Sequence, residues 1–397
     1  MKVLFVPLPG ILSHTLPLLA LDRKLKGSGI ETAFLAPQSV HRILKLHDAN
    51  VLPIDHSGTA QHALRSEMGA YGTFSPDVVV DDASLSTGFA TALKGLPRVA
   101  IQRTGFFPGS APRNKNHHLS MSVPRPEDLP DVTFLGLSQP RSYTDFFNAD
   151  FKIVPGIKSL EVLPPGLRDD PTYTFSGPLL VDDYIIPTTL AAILDSKQFR
   201  DFGELENFFD AHKSLKIVYL TFGTTERATE LVFACVRFLL DNNIAVVSSV
   251  DVQGLTAEQR KLYYFAQYLP MHLVSSHVDL MVHQCGSGTY HYPLLHNVPA
   301  ITIGTQCYDR EEVAVRLEEL GASTHIPSPA ECDDFVERFK RTVAEHLGES
   351  GARLQERREC LSRLKNEIEQ TVAAFDFEGL LDRAAGAPKG RGRASGV

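Results

Sequence analysis

The chain has no tryptophan, and its five cysteines are scattered, odd in number and without a C-x-x-C pair. Such spacing builds neither a disulfide framework nor a cysteine-based zinc site, and free thiols point to a reduced, cytoplasmic setting. Basic residues are in deficit: 39 Lys and Arg stand against 47 Asp and Glu, a net charge of −8. That sign argues against a nucleic-acid partner, whose phosphate backbone needs a basic face. No apolar run approaches the roughly 20 residues that span a bilayer, so no membrane span is expected. Met1-Lys2 followed by Val3-Leu4-Phe5-Val6-Pro7 reads as a buried first strand, because no small-residue cleavage site follows it. A P-loop, an H-E-x-x-H and a G-x-S-x-G are all missing. Nucleoside-triphosphate hydrolysis, zinc proteolysis and serine hydrolysis by those motifs therefore have no support.

What is present is an ordinary globular composition, 43% hydrophobic and 22% charged, over 397 residues. That length exceeds one ordinary core, so two domains are expected. Apolar runs alternate with amphipathic segments. Residues 3–6, 32–35, 78–80 and 99–102 read as strands, and 16–26 and 87–94 as helices. A second alternation gives strands at 216–220, 244–247, 280–282 and 300–303, with helices at 226–240, 287–296 and 311–319. Strand–helix alternation at this spacing means βαβ units and parallel sheets. The expected fold class is α/β, with two doubly wound, Rossmann-like domains over 1–205 and 206–375. A closing helix near 355–375 can cross back to the first domain. The tail, 386–397, carries Lys389, Arg391 and Arg393 among small residues and reads as disordered. Parallel sheets bind ligands beyond the carboxyl ends of their strands, so a ligand is expected in a cleft between the domains.

Two constellations carry chemistry. In the first, an apolar strand over 280–282 runs into Gln284-Cys285-Gly286-Ser287-Gly288-Thr289 and then a helix. A helix start gathers unpaired N–H groups and the positive end of a dipole, and glycines let a ligand oxygen come close. A phosphate is the natural guest, although glycine turns also follow strands in any α/β protein. In the second, Ser13-His14 lies at the first strand-to-helix turn, and Asp81-Asp82 ends a strand of the same sheet. A histidine is mostly neutral at pH 7 and can take a proton from a hydroxyl; a carboxylate beside it would hold its tautomer. The alternative for His14 is a solvated histidine at a helix start. Phe106 and Phe107 follow a strand, where they line an apolar acceptor pocket or belong to the core. His117-His118 reads as solvent-facing, and the stretch from Phe106 to Pro140 as a long irregular segment.

These residues, with others in order along the chain, resemble family 1 nucleotide-sugar glycosyltransferases of the GT-B fold. Ser13-His14-Thr15-Leu16-Pro17 is similar to their G-H-x-x-P, and Ser75–Asp82 to their P-D-x-x-x-x-D strand. Gly177-Pro178-Leu179 resembles the G-P-L before their linker, Lys216–Thr224 the strand ending in G-T, and Tyr268-Leu269-Pro270 their Y-V-P. His283–Thr289 resembles H-H-G-G-x-G-T, and Val298-Pro299 with Asp309 their G-V-P and D-Q. The resemblance implies an inverting transfer of a hexose from a nucleoside-diphosphate donor to a hydroxyl of a small-molecule acceptor, of natural-product type. It implies His14 as general base and Asp82, rather than Asp81, as its partner. It places the donor diphosphate on Gly223, Thr224, Gly286, Ser287, Gly288 and Thr289, and the nucleotide base near Tyr268 and Leu269. Ser13, Phe106 and Phe107 fall on the acceptor side. No metal or other cofactor is implied, and a homodimer stays open.

Three positions depart from the pattern. Gln284 stands where the family has a phosphate-binding histidine, Tyr292 where it has a sugar-contacting Glu, and Arg310 where it has the Gln beside Asp309. Gln keeps an N–H donor without charge, whereas Arg adds a fixed charge and a planar fork. Two readings follow: a changed donor (a deoxy-, amino- or acidic sugar), or a donor-binding or partner-activating protein that turns over weakly. A sugar-nucleotide epimerase on the same fold is a further alternative. Neither the acceptor nor the choice of uridine against thymidine is legible.

Overall fold

The computed structural model describes residues 1–9, 12–54, 60–108, 147–181, 202–222, 230–266, 269–305 and 307–387. Gly223, Thr224, Tyr268, the His117-His118 pair, most of the irregular segment and the tail beyond Ala387 lie outside them. The described residues fall into two compact units. The first takes those up to Val181 and again from Glu369; the second takes those from 202 to Ile368.

In the first unit the chain runs β1 (Lys2–Pro7), α1 (Leu12–Lys24), β2 (Glu31–Ala36), α2 (Gln38–Leu46), β3 (Val51–Pro53) and α3 (Ala60–Phe74). It continues with β4 (Val78–Asp82), α4 (Thr87–Lys94), β5 (Arg98–Ile101), β6 (Phe151–Val154) and β7 (Tyr173–Phe175). The strands form one sheet in the order β3-β2-β1-β4-β5-β6-β7, every neighbouring pair parallel. Val3, Leu4, Phe5 and Val6 are all at most 1% exposed. Successive strand residues point to opposite faces, so both faces of β1 are covered, as a sheet flanked by helices requires.

The second unit holds α5 (Phe202–His212), β8 (Ile217–Leu220), α6 (Glu230–Asp241), β9 (Ala245–Ser248), α7 (Ala257–Lys261), β10 (Tyr263–Phe265) and α8 (Met271–His277). After them come β11 (Leu280–His283), α9 (His291–His296), β12 (Ala300–Ile303), α10 (Tyr308–Glu319), β13 (Ser323–Ile326), α11 (Phe335–Leu347) and α12 (Gly351–Ala374). The last residues of α12 and all of α13 (Phe377–Gly386) cluster with the first unit. The second sheet, β10-β9-β8-β11-β12-β13, is again parallel throughout. Val232, Val236 and Leu239 on α6, and Phe335, Phe339 and Val343 on α11, pack on Val218, Leu220 and Val246. The three- and four-residue spacing puts each set on one helical face. The helix expected over 287–296 is shorter than the sequence suggested. Residues 287–290 form a turn, and α9 begins at His291.

In each sheet the strand order reverses once, between β1 and β4 and between β8 and β11. At such a switch point the connections leave in opposite directions and open a crevice beyond the carboxyl ends of the strands. The crevices are bordered by Pro7 and Asp82 in the first unit and by Leu220 and His283 in the second. Among the described residues no helix is long and apolar enough to cross a membrane, and the cysteines are free.

Charge is also buried in the first sheet. The Arg98 guanidinium donates from Nε to Asp81 Oδ1 at 2.7 Å and from Nη2 to Oδ2 at 2.9 Å, with both residues buried. Burial still pushes the Asp81 carboxyl above its usual range, Arg98 notwithstanding. Removing one partner of such a pair leaves an uncompensated buried charge, so Arg98→Met should destabilise the protein by about 3–5 kcal/mol in urea unfolding. At the end of β11, His283 is fully buried, and its Nδ1 accepts the N–H of Cys285 at 3.1 Å. Burial lowers its pKa from 6.5 to about 4. The unfolded chain therefore binds a proton here that the folded one refuses. The stability is fully present above pH 6.5 and is lost as pH falls toward 4, by on the order of 3 kcal/mol at most. Melting curves from pH 7 to 4 should fall more steeply for the wild type than for His283→Asn; parallel curves would contradict this assignment.

Candidate active site

Parallel pairing sets Pro7 opposite Asp82 and Asp82 opposite Ile101, which puts Asp82 at the edge of the first switch point. The chain leaves Asp82 through Ala83 in the left-handed region (φ 59°), a conformation uncommon for a residue with a Cβ. His14 lies in the first turn of α1, and its Nδ1 is 2.7 Å from Asp82 Oδ1. Arg103, just beyond β5, closes on the same carboxylate with both ends of its fork. Nη1 donates to Oδ1 and Nη2 to Oδ2, each at 2.6 Å. Asp82 is 0% exposed. Burial alone would raise its carboxyl, but Arg103 and then His14 outweigh that and hold it below the usual carboxylate range. An ionised carboxylate can only accept hydrogen bonds. His14 must therefore donate from Nδ1, which leaves the lone pair on Nε2. The His14 side chain is 18% exposed, so it is the open member of the group. The arrangement is an imidazole of fixed tautomer with an anion behind it.

Ser13 is exposed beside His14. Phe106 and Phe107 are core residues in the structure. Phe106 packs with Ala83 and Phe147, edge-on to the latter at 4.7 Å, and is 6% exposed. Phe107 is 0% exposed among Val154, Leu163, Tyr173 and Phe175, and does not reach a surface.

At the second switch point the turn after β11 is tight. Cys285 takes a left-handed conformation (φ 52°), and Thr289 and Tyr290 donate to the Gly286 carbonyl at 2.8 and 3.2 Å. His291 donates from Nδ1 to the Ser287 carbonyl at 3.3 Å and ties the turn down from behind. The N–H groups of Gly286, Ser287 and Gly288 have no acceptor among the described residues. Neither Gly286 nor Gly288 has a positive φ, and a Cβ on either would meet nothing within 4 Å. The turn thus has open space at both glycines and three N–H groups without acceptors among the described residues, which suits an anionic oxygen.

Around this turn stand polar groups without partners. The Gln284 amide is buried, and among the described residues neither its nitrogen nor its oxygen is hydrogen-bonded; Asp309 Oδ1 is likewise buried and has no partner there. Asp309 and Arg310 lie in the first turn of α10, close enough that the Cys285 thiol feels both charges. The Arg310 guanidinium makes no ion pair or hydrogen bond among the described residues. A cation in the first turn of a helix also opposes the dipole. Gly304 fixes the loop before α10, since a Cβ there would overlap the Ser328 nitrogen and lie 2.9 Å from Glu311 Oε1. Tyr292 is 3% exposed and packs edge-on to His272 at 5.0 Å. Leu269 is half-buried just before α8. Thr289 is half-buried in the turn. Among the described residues no group of three or more His, Cys, Asp or Glu could hold a metal ion.

The motifs point to Asp82 but not to its second partner Arg103, nor to His291 as a tie on the turn. Strand alternation gives the signal only once the register is known: Arg103 is two residues past Ile101, the partner of Asp82, and so shares its face.

No family model matches the chain. A 4'-demethylrebeccamycin synthase of Lentzea aerocolonigenes is 26% identical over 171 residues, 42% of this chain and 38% of that protein. The match therefore spans well under half of that relative's length. Among solved structures, the spinosyn forosaminyltransferase SpnP superposes with a TM-score of 0.70 at 16% identity, covering 97% of this chain and 99% of its own. The spinosyn rhamnosyltransferase SpnG complexed with thymidine diphosphate gives 0.66 at 18% identity, covering 94% and 98%. With both parallel sheets matched over nearly the whole length, the chain has the GT-B fold of natural-product glycosyltransferases.

Proposed function

We propose that the chain is an inverting glycosyltransferase. It moves a hexose from a nucleoside-diphosphate donor to a hydroxyl of a small, largely apolar acceptor. The observation that carries this reading is the 2.7 Å pairing of His14 Nδ1 with an ionised Asp82, which leaves Nε2 free at a switch point. Nε2 takes the acceptor's hydroxyl proton as its oxygen bonds to the anomeric carbon. The bond from that carbon to the diphosphate breaks on the opposite side, and the diphosphate leaves with the electron pair. Asp82 offsets the charge of the imidazolium that forms.

The second unit supplies the donor site in this reading. The free N–H groups of Gly286, Ser287 and Gly288 meet the diphosphate, joined by Gly223, Thr224 and Thr289. Such preorganised donors stabilise the charge that builds on the leaving group, and one of them is typically worth about 3–4 kcal/mol of barrier. Arg310 and Asp309 face the sugar and its phosphate, and the segment at Tyr268 and Leu269 meets the base. The nucleotide sugar is a substrate, and no step is assigned to a metal or other cofactor. One observation favours a second reading, a donor-binding protein with weak turnover: the Gln284 amide is sealed in the interior with both atoms unpaired. Donor consumption without acceptor separates the two. Inversion at the sugar's C2 in the same assay would instead indicate an epimerase.

Thermal melting with a panel of nucleoside diphosphates tests the donor site. Thymidine diphosphate heads the panel, because SpnG was solved with it. A ligand at a hundredfold excess over its dissociation constant should add about 2.7 kcal/mol of stability. No shift with any pyrimidine diphosphate would remove the donor site from the proposal. For the base, His14→Ala should lower transfer by about 10²–10⁴-fold, with nucleotide binding preserved. Transfer at the wild-type rate would exclude His14.

A further inference from the structure

We propose that Arg103 is a positioning residue that fixes the orientation of the Asp82 carboxylate and shares its charge, and so sets how readily His14 gains a proton. The inference rests on the reading of His14 as the base and extends it to a group that touches neither sugar nor acceptor in that scheme.

The geometry has two parts. Asp82 Oδ1 accepts from both His14 Nδ1 (2.7 Å) and Arg103 Nη1 (2.6 Å), while Oδ2 accepts from Arg103 Nη2 (2.6 Å). A bidentate fork of this kind matches the plane of the carboxylate, which cannot turn about its Cβ–Cγ bond without breaking the clamp. The oxygen that His14 needs is therefore held still by a residue on the other side. The second part is charge. Around an isolated His–Asp pair, protonating the imidazole turns a net negative charge into a neutral pair. With Arg103 in place a cation already stands on the carboxylate, and protonation of His14 adds a second positive charge beside it. Arg103 thus makes His14 quicker to give up the proton it has taken.

Other charged groups also border this one. From β4 come Asp82 itself and Asp81, which points to the opposite face and is matched by Arg98 of β5. Glu161 is buried and accepts the N–H of Thr104 at 2.7 Å, one residue beyond Arg103. The first two turns of α1, Leu12 to Leu18, carry no charged side chain, and β1 has only Lys2 at its far end, beside Glu31.

Proton-detected ¹⁵N spectra of the histidine rings, recorded on the full chain across pH, test the inference, with His14 assigned by its loss in His14→Gln. In Arg103→Gln the His14 midpoint should rise by about one pH unit or more, and in Arg103→Lys it should stay within a few tenths of the wild type. A folded Arg103→Gln with an unmoved midpoint would overturn the proposal. If Arg103→Gln does not fold, the comparison moves to Asp82→Asn with and without Arg103→Gln, in which the loss of Arg103 no longer strands the Asp82 carboxylate. The double variant should then titrate at higher pH than the single one, and equal midpoints would overturn the proposal. The titration uses neither donor nor acceptor. Failure of nucleotide binding would strike the proposed function while leaving this measurement intact.

Discussion

The first unit is organised around one requirement: a carboxylate with no access to water must stay ionised. Asp82 meets it only because two cationic or polar partners converge on it from different elements. One arrives on the first turn of a helix and the other just past a neighbouring strand. The register of β1 with β4 and of β4 with β5 is what brings all three to one place. Lose the register, and the carboxylate faces apolar side chains instead. The same arrangement fixes the imidazole tautomer, so folding and proton chemistry are governed by a single contact set.

The two switch points differ in kind. At the first, both oxygens of Asp82 are engaged within the protein, by His14 and Arg103. At the second, capacity is left unspent among the described residues: backbone N–H groups without acceptors, a guanidinium without a counter-ion, and an amide and a carboxylate oxygen without partners. A buried polar atom with no partner costs free energy, so such a cluster persists where something else completes it. In the proposed scheme the first switch point acts as a reagent and the second as a receptor.

Much of this was legible in the sequence. Continuous apolar runs such as Val3–Val6 and Ile217–Leu220 announced parallel strands, and small residues after β11 announced a turn. Less legible were short or polar elements whose character comes from their neighbours. β3 is three residues long and ends in Pro53, while β13 reads Ser-Thr-His-Ile and becomes a strand by pairing with β12. The helix expected from Ser287 starts later because the turn around Gly286 consumes four residues first. Phe106 and Phe107 left two options open in the sequence, and packing places both in the core. Arg103 was invisible in a different way. Its role depends on which strand lies beside β4 and at what offset; alternation along the chain gives its face only once that register is known.

Asp81 and Asp82 are adjacent, point to opposite faces of the same strand, and are each gripped by their own arginine. The two grips act as a latch against slippage. Sliding β4 by one residue would exchange the two carboxylates between faces and strand both guanidiniums. Insertions and deletions inside this strand should consequently be far less tolerable than substitutions. When homologues of this chain are aligned, the spacing from β4 to β5 is the place where a gap would signal an error in the alignment rather than a change in the protein.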